Sequence, residues 1–117
     1  MEAEAQFFKV LADPTRLRLA VILAIKGELC VCQLCDALDE PQYKVSSHLA
    51  IMRMEDLVAV RREGTWMHYR LQDPAGKMGK CLFACFKDCL KSHPAIAADL
   101  KRLKKASCPP APSRKRA

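Results

Sequence analysis

The chain has 117 residues, half of them apolar and 28% charged, with a formal net charge of +7. That is the material of one globular domain with one modest core. It excludes wholesale disorder, and it leaves no room for a large enzyme with separate cofactor and substrate domains. The longest apolar run, residues 19–25, is far short of the ~20 residues that cross a bilayer. The acidic opening Met-Glu-Ala-Glu-Ala lacks the basic-then-apolar layout of a signal peptide. The expectation is a cytoplasmic protein with no membrane partner.

The positive charge is unevenly placed. Residues 101–117 hold seven of the 20 basic side chains and no acid, so the rest of the chain is neutral, with 13 basic and 13 acidic residues. A basic tail is most often a solvated solubility element, though it can add sequence-independent attraction to phosphate. Residues 1–106 read as one domain, and 107–117, Pro-rich and basic, as a disordered tail.

Residues 3–11 have the spacing of a short amphipathic helix. Asp13-Pro14 then opens a second helix, with Asp as the cap that accepts orphan amides and Pro at a position where no N–H is missed. This helix runs to about Ile25, with Leu17, Val21, Ile22, Leu23 and Ile25 directed to the core and Arg16 and Arg18 outside; Gly27 ends it. A brief extended stretch follows, then a short helix over 31–38, broken by Pro41. The next periodic segment, Gln42 to about Glu55, places Val45, Leu49 and Met52 on one buried stripe. Two short helices joined by a tight turn, the second with a polar face, have the layout of a helix-turn-helix.

The period then changes from 3.6 to 2. Residues 58–63 and 65–71 flank Gly64 as a hairpin, with Met67, Tyr69 and Leu71 on one face and Trp66, His68 and Arg70 on the other. A hairpin after a helix-turn-helix is a wing. Helical spacing returns over 77–92 and 95–105. The fold class expected is mainly α with a small β-hairpin: a winged helix-turn-helix.

The outer face of the 42–55 helix offers Gln42, Tyr43, Lys44, Ser46, Ser47 and His48 near its N-terminal end, the end that enters the major groove in helix-turn-helix proteins. Gln can pair with adenine, Lys with guanine or phosphate, and Ser with either. Arg53 can reach the backbone from the far end, and Arg61 and Arg62 in the wing are phosphate candidates. Every surface helix has a polar face; the combination with a turn and a basic hairpin makes this one a candidate reader of double-stranded DNA. A lone helical His such as His48 is more often a packing or capping residue than a base reader.

Seven cysteines are many for 117 residues. Reducing conditions disfavour a disulfide framework. Cys30, Cys32 and Cys35 form a C-x-C-x-x-C cluster, with Cys32 and Cys35 one helical turn apart. Cys30 can fold back towards the same point if the first turn distorts. Zinc prefers four ligands, and the fourth here would be Glu28, Asp36, water or another chain. Three soft thiolates match a trivalent pnictogen, As(III) or Sb(III), better. Cysteine as a compact apolar filler is the alternative. Cys81, Cys85 and Cys89 recur every four residues on a stripe shared with Met78, Leu82 and Phe86, which reads as a buried seam or a dimer contact; Cys108 is incidental. No nucleophile–base pair, Gly-rich phosphate loop or paired carboxylates suggest an enzyme, and no organic cofactor is indicated.

These pieces together resemble the ArsR/SmtB family of metal-responsive repressors. The matching residues are Leu11-Ala12-Asp13-Pro14-Thr15-Arg16-Leu17-Arg18, Glu28-Leu29-Cys30-Val31-Cys32-Gln33-Leu34, Ser46-Ser47-His48-Leu49 with Met52 and Leu57-Val58, and Arg62-Glu63-Gly64-Thr65-Trp66 through Leu71. The resemblance implies a homodimer that binds operator DNA and is released when As(III) or Sb(III) is taken up by Cys30, Cys32 and Cys35. It also carries DNA reading onto 42–48. Asp56 stands where the family usually has Gly, and Asp tolerates the left-handed backbone that such a turn needs. The region after residue 75 matches nothing in this resemblance. A thiol redox switch on the same helix, and a metal-sequestering protein without a DNA role, remain the alternative readings.

Overall fold

A computed structural model describes residues 1–73 and 76–106; the tail expected over 107–117, with Cys108, lies outside the described residues. The order is α1 (Glu2–Leu11), α2 (Pro14–Lys26), β1 (Glu28–Cys30), α3 (Val31–Leu38), α4 (Gln42–Met54), β2 (Val58–Glu63), β3 (Trp66–Leu71), α5 (Lys77–Leu90) and α6 (Pro94–Lys104). Among the described residues no helix is long and apolar enough to cross a membrane.

α2 is the central post. Leu19, Ala20, Val21, Ile22 and Leu23 are all buried in succession, so this helix is covered on every side rather than along one stripe. Its start is set by Asp13, whose Oδ2 accepts the amides of Thr15 at 2.9 Å and Arg16 at 3.1 Å. Its end is Gly27 at φ +89°, a conformation that side chains disfavour.

α3 and α4 form the helix-turn-helix. Asp39 closes α3 in the left-handed region at φ +54°, and α4 buries Val45, Leu49 and Met52 as its spacing predicts. Asp56 has φ +59°, the left-handed turn expected of it between α4 and the hairpin.

The wing is larger than a hairpin. β1 pairs antiparallel with β3, giving a three-stranded sheet of order β1-β3-β2 in which Cys30 lies opposite His68 and Arg61 lies opposite His68 from the other side. Three residues are too few for a period-2 signal, so β1 was visible only as an extended stretch.

Two side-chain placements differ from the sequence-based expectation. Arg18 is not outside. Its guanidinium grips Asp99 of α6 through Nε at 3.0 Å and Nη2 at 2.6 Å, and Asp99 is fully buried. Arg102 donates to the same carboxylate at 2.6 Å and, through Nε, to the Ala37 carbonyl at 2.8 Å. Arg18 also reaches the Leu38 carbonyl at 3.3 Å. Nothing in a helical periodicity marks an Arg whose partner lies 81 residues away.

The second difference is on α5. Phe83 and Phe86 take the buried face, with Phe83 tilted against Phe7 of α1 at 6.1 Å, while Cys81, Cys85 and Cys89 are exposed, which overturns the buried seam within the chain but not the dimer contact. The aromatic rings bury far more apolar area than thiols do, so they determine which side of the helix turns inward.

Two outcomes follow for stability. Asp99→Ala strips two guanidiniums of their buried acceptor and is expected to lower unfolding free energy by about 3 kcal/mol in urea titration. At Asp13, burial raises the carboxyl pKa, but the Arg16 and Thr15 amides and the charges of His48 and Arg16 outweigh it and hold the group below the usual carboxylate range. A lowered folded pKa means the stabilisation is complete above the unfolded value of ~3.9 and is lost as pH falls through the folded one. Asp13→Ala is therefore expected to cost about 1 kcal/mol at neutral pH, the size of a lost N-cap. In thermal melts that cost should shrink towards zero in strong acid.

Candidate metalloid site and nucleic-acid interface

The three α3-associated cysteines occupy three different environments. Cys30 is the N-cap of α3 and is 1% exposed. Its amide donates to Gln33 Oε1 at 3.1 Å, and its sulfur receives the Gln33 backbone amide in a reciprocal capping box. Cys32, one residue into the helix, is exposed and disulfide-bonded. That bond departs from the reduced thiol expected. Cys35 is half-buried, and burial first, then the charges of Asp36 and Cys30, push its thiol pKa up. Cys35 also lines an open cavity of about 550 Å³ with Asp36, Glu40 and Arg102, between the end of α3 and α6.

The donor set fits a trivalent pnictogen by its chemistry, since all three atoms are soft sulfurs. It is not a preformed cage: among the described residues no three His, Cys, Asp or Glu side chains are grouped to hold a metal ion. Gathering the sulfurs requires the first turn of α3 to distort, because Cys30 points into the core and Cys32 out of it.

Sequence reasoning missed His68. It sits directly across the ladder from Cys30, is fully buried, and neither ring nitrogen has a hydrogen-bond partner among the described residues. The alternation in β3 assigned it to the Trp66 and Arg70 face, and spacing alone does not show that His68 is buried there while Arg70 is exposed.

On α4, Gln42, Tyr43 and Ser47 are exposed, Tyr43 to 79%, and Ser46 is half-buried beside them. Lys44 is paired with Glu40 at 3.3 Å. His48 turns instead towards the start of α2, with Nδ1 3.3 Å from Arg16 Nη1 and 3.8 Å from Asp13 Oδ2. Arg16 is fixed in turn by its Nε bond to the Val10 carbonyl at 2.7 Å. His48 thus joins the cap of α2 to the face of α4. Arg53 is exposed at the far end of the helix, where Met54 is also bare at 81%.

The two wing arginines singled out from the sequence differ. Arg61 is held between Glu28, at 2.7 Å, and Glu63, and these carboxylates raise its pKa further. Arg62 is exposed and donates from Nε to the Gly64 carbonyl at 3.3 Å. The structure brings Gln42, Tyr43, Ser46 and Ser47 together on one outer face and, of the two candidate wing arginines, turns Arg62 rather than Arg61 to solvent; Arg70 on β3 is exposed as well.

Residues 13–60 match the family described as "Bacterial regulatory protein, arsR family". The "Arsenical resistance operon repressor" of Escherichia coli K12 is 54% identical over 66 residues, a stretch covering 56% of each chain, so the match spans about half the length of that relative. Among solved structures, the "AntR antimony-specific transcriptional repressor" superposes with a TM-score of 0.59 at 32% identity, covering 75% of this chain and 80% of that one. The "homodimeric winged helix-turn-helix DNA-binding domain" of Mb0332 from Mycobacterium bovis superposes with a TM-score of 0.60 at 29% identity, covering 80% and 82%. A helix-turn-helix over α3 and α4, a three-stranded wing and these matches agree: the chain is a winged helix-turn-helix protein and belongs to the arsR family of bacterial regulatory proteins.

Proposed function

We propose that the protein is a cytoplasmic transcriptional repressor that binds operator DNA as a homodimer and releases it when As(III) or Sb(III) engages Cys30, Cys32 and Cys35. The observation that carries this reading is the position of Cys30. It is at once the N-cap of α3, a buried member of the sheet and the first sulfur of the cluster. The relatives named for arsenical resistance and antimony support the choice of inducer.

When bound, the metalloid supplies three covalent bonds to sulfur. The rest is done by the chain. To meet Cys32 and Cys35, the Cys30 sulfur must leave its buried place and give up the capping box with Gln33. The first turn of α3 then loosens, while its last turn stays pinned through the Ala37 and Leu38 carbonyls to Arg102 and Arg18. α4 follows α3 through only Asp39, Glu40 and Pro41, so a change in α3 re-aims it. In a dimer the two recognition helices must meet half-sites about 34 Å apart, and a small re-aiming spoils that spacing. A coupling of ~1–3 kcal/mol is enough to weaken binding 5–150-fold. Gln42, Tyr43, Ser46 and Ser47 face the bases in this reading; Lys44, Arg53 and Arg62 contact phosphates, and His48 holds α4 against α2.

The test is a gel shift and anisotropy titration on DNA upstream of the protein's own gene, with fully reduced protein. Cys32→Ser is expected to keep operator affinity and lose at least about tenfold of the release caused by arsenite. A mutant that responds fully, or a wild-type protein that gives no shift at low salt, overturns the reading; the second result favours a sequestering role. Arg62→Ala is expected to weaken binding to all sequences and reduce the salt slope by about one. Arg61→Ala, already committed to two carboxylates, should change that slope less.

The disulfide on Cys32 favours a second reading, a redox switch acting on the same helix. Peroxide would then release DNA with loss of free thiols and no bound metalloid, a result that thiol counting separates from arsenite uptake.

A further inference from the structure

The outer face of α4 is less polar than the sequence reading made it. Of the five large apolar side chains exposed among the described residues, Tyr43, Ile51 and Met54 lie on this one helix. At ~100° per residue, these three and the exposed Ala50 fall in a single sector about 100° wide, opposite the buried stripe of Val45, Leu49 and Met52. Ser47 is the one polar residue in that sector. Gln42, Ser46 and Arg53 flank it on one side, Lys44 and His48 on the other. Exposed apolar residues scattered singly need no explanation, but a stripe of them marks a contact surface.

The chemistry around the stripe suits nucleic acid. α4 contains no acidic residue, so a polyanion can approach it without repulsion from the helix itself. In the major groove every base edge offers hydrogen-bond donors or acceptors, and only thymine adds an apolar group, its C5 methyl. An apolar side chain pressed on any other edge strips water from polar atoms and returns no hydrogen bond. Over a thymine methyl the same side chain buries apolar surface on both partners. From Tyr43 to Ile51 the helix climbs ~12 Å, the span of about three to four stacked bases. Met54 lies about one turn further from the end that enters the groove, beside the cleft that α4 forms with Ala3 and Phe7 of α1.

We infer that Tyr43, Ala50 and Ile51 form an apolar strip that selects thymine by its C5 methyl group in each operator half-site. This role rests on the DNA-binding reading proposed above and adds a source of sequence preference to it. Gln42, Ser46 and Ser47 supply directional polar contacts along one edge of the strip. The strip itself works by burial, favouring thymine beneath it and disfavouring every other base there. The contact is uncharged and releases no counterions, so losing a methyl weakens binding without changing its salt dependence.

The experiment uses the full-length reduced chain and DNA upstream of its own gene, prepared once with thymidine and once with deoxyuridine throughout. Uracil keeps the pairing and the O4 acceptor of thymine and lacks only the methyl. Each buried methyl lost costs about fourfold in affinity. A homodimer presents the strip twice, so the uracil duplex should bind at least about tenfold more weakly in anisotropy titration. The slope of log affinity against log salt should be the same for both duplexes. Tyr43→Ala combined with Ile51→Ala should bring the thymine-to-uracil ratio close to one, while Ile51→Val keeps most of it and Met54→Ala all of it. Equal binding of the two duplexes by the unaltered chain overturns the inference and leaves the DNA-binding reading standing; no binding to the thymine duplex at low salt removes both. A ratio that survives the double substitution reports DNA shape rather than the strip and overturns the inference, as does a ratio lost with Met54→Ala or a salt slope that differs between duplexes. If the duplexes bind alike and Ile51→Ala alters the sedimentation of the DNA-free chain, the stripe is a contact between copies and the inference fails.

Discussion

A buried carboxylate holds the working parts of this protein in place. Asp99 has no exposure to water, and an ionised group there is tolerable only with partners that replace its hydration. Two guanidiniums do so, one from α2 and one from α6 itself. Neither arginine stops at the carboxylate. Arg18 and Arg102 use their remaining donors on the Leu38 and Ala37 carbonyls, the unpaired acceptors at the end of α3. One negative charge thus orients two forks, and the forks fix the end of the helix that leads into α4. The packing of α6, far along the chain, becomes a condition for where the helix-turn-helix sits.

The front of α3 is anchored by different means. Cys30 caps the helix and pairs with β3 in the same residue, so the helix start and the wing share a strand. Glu28 of that strand holds Arg61 of β2, which ties the third strand into the same unit. His48, near Arg16 and Asp13, links α4 to the start of α2. α3 is therefore a short rod with polar fixings at its far end and a cysteine in the seam at its near end. Of the two ends, the near one is held by the weaker set, since a thiol is a weak hydrogen-bonding group and guanidinium–carboxylate pairs are strong. A disturbance centred on Cys30 consequently reaches the wing and α4 while the guanidinium end acts as a pivot.

The cysteines illustrate how little residue type says about sulfur chemistry without its surroundings. Cys30 is a structural cap, Cys32 an exposed and oxidised sulfur, Cys35 a half-buried thiol whose proton is held by burial and by nearby negative charge. Cys85 and Cys89 are exposed and in contact with each other. Clustered spacing on α3 corresponds to dispersed sulfurs, while a plain four-residue repeat on α5 produces adjacent ones.

Local signals determined most of the architecture. Asp13-Pro14, Gly27, Pro41 and the apolar stripe of Val45, Leu49 and Met52 specify α2, the turn and α4, because caps and helical periodicity act over a few residues and need no distant partner. The hairpin about Gly64 and the left-handed turn at Asp56 belong to the same class, as does the gathering of candidate base-reading residues near the start of α4. Tertiary structure alone decided that Arg18 grips the buried Asp99, that β1 pairs beside His68 as a third strand, that His48 faces α2, that Arg61 is occupied by two carboxylates, and that α5 turns its phenylalanines rather than its cysteines inward. Each of these depends on a partner remote in sequence or on competition between two faces for the same core, and neither is encoded in the spacing of one segment.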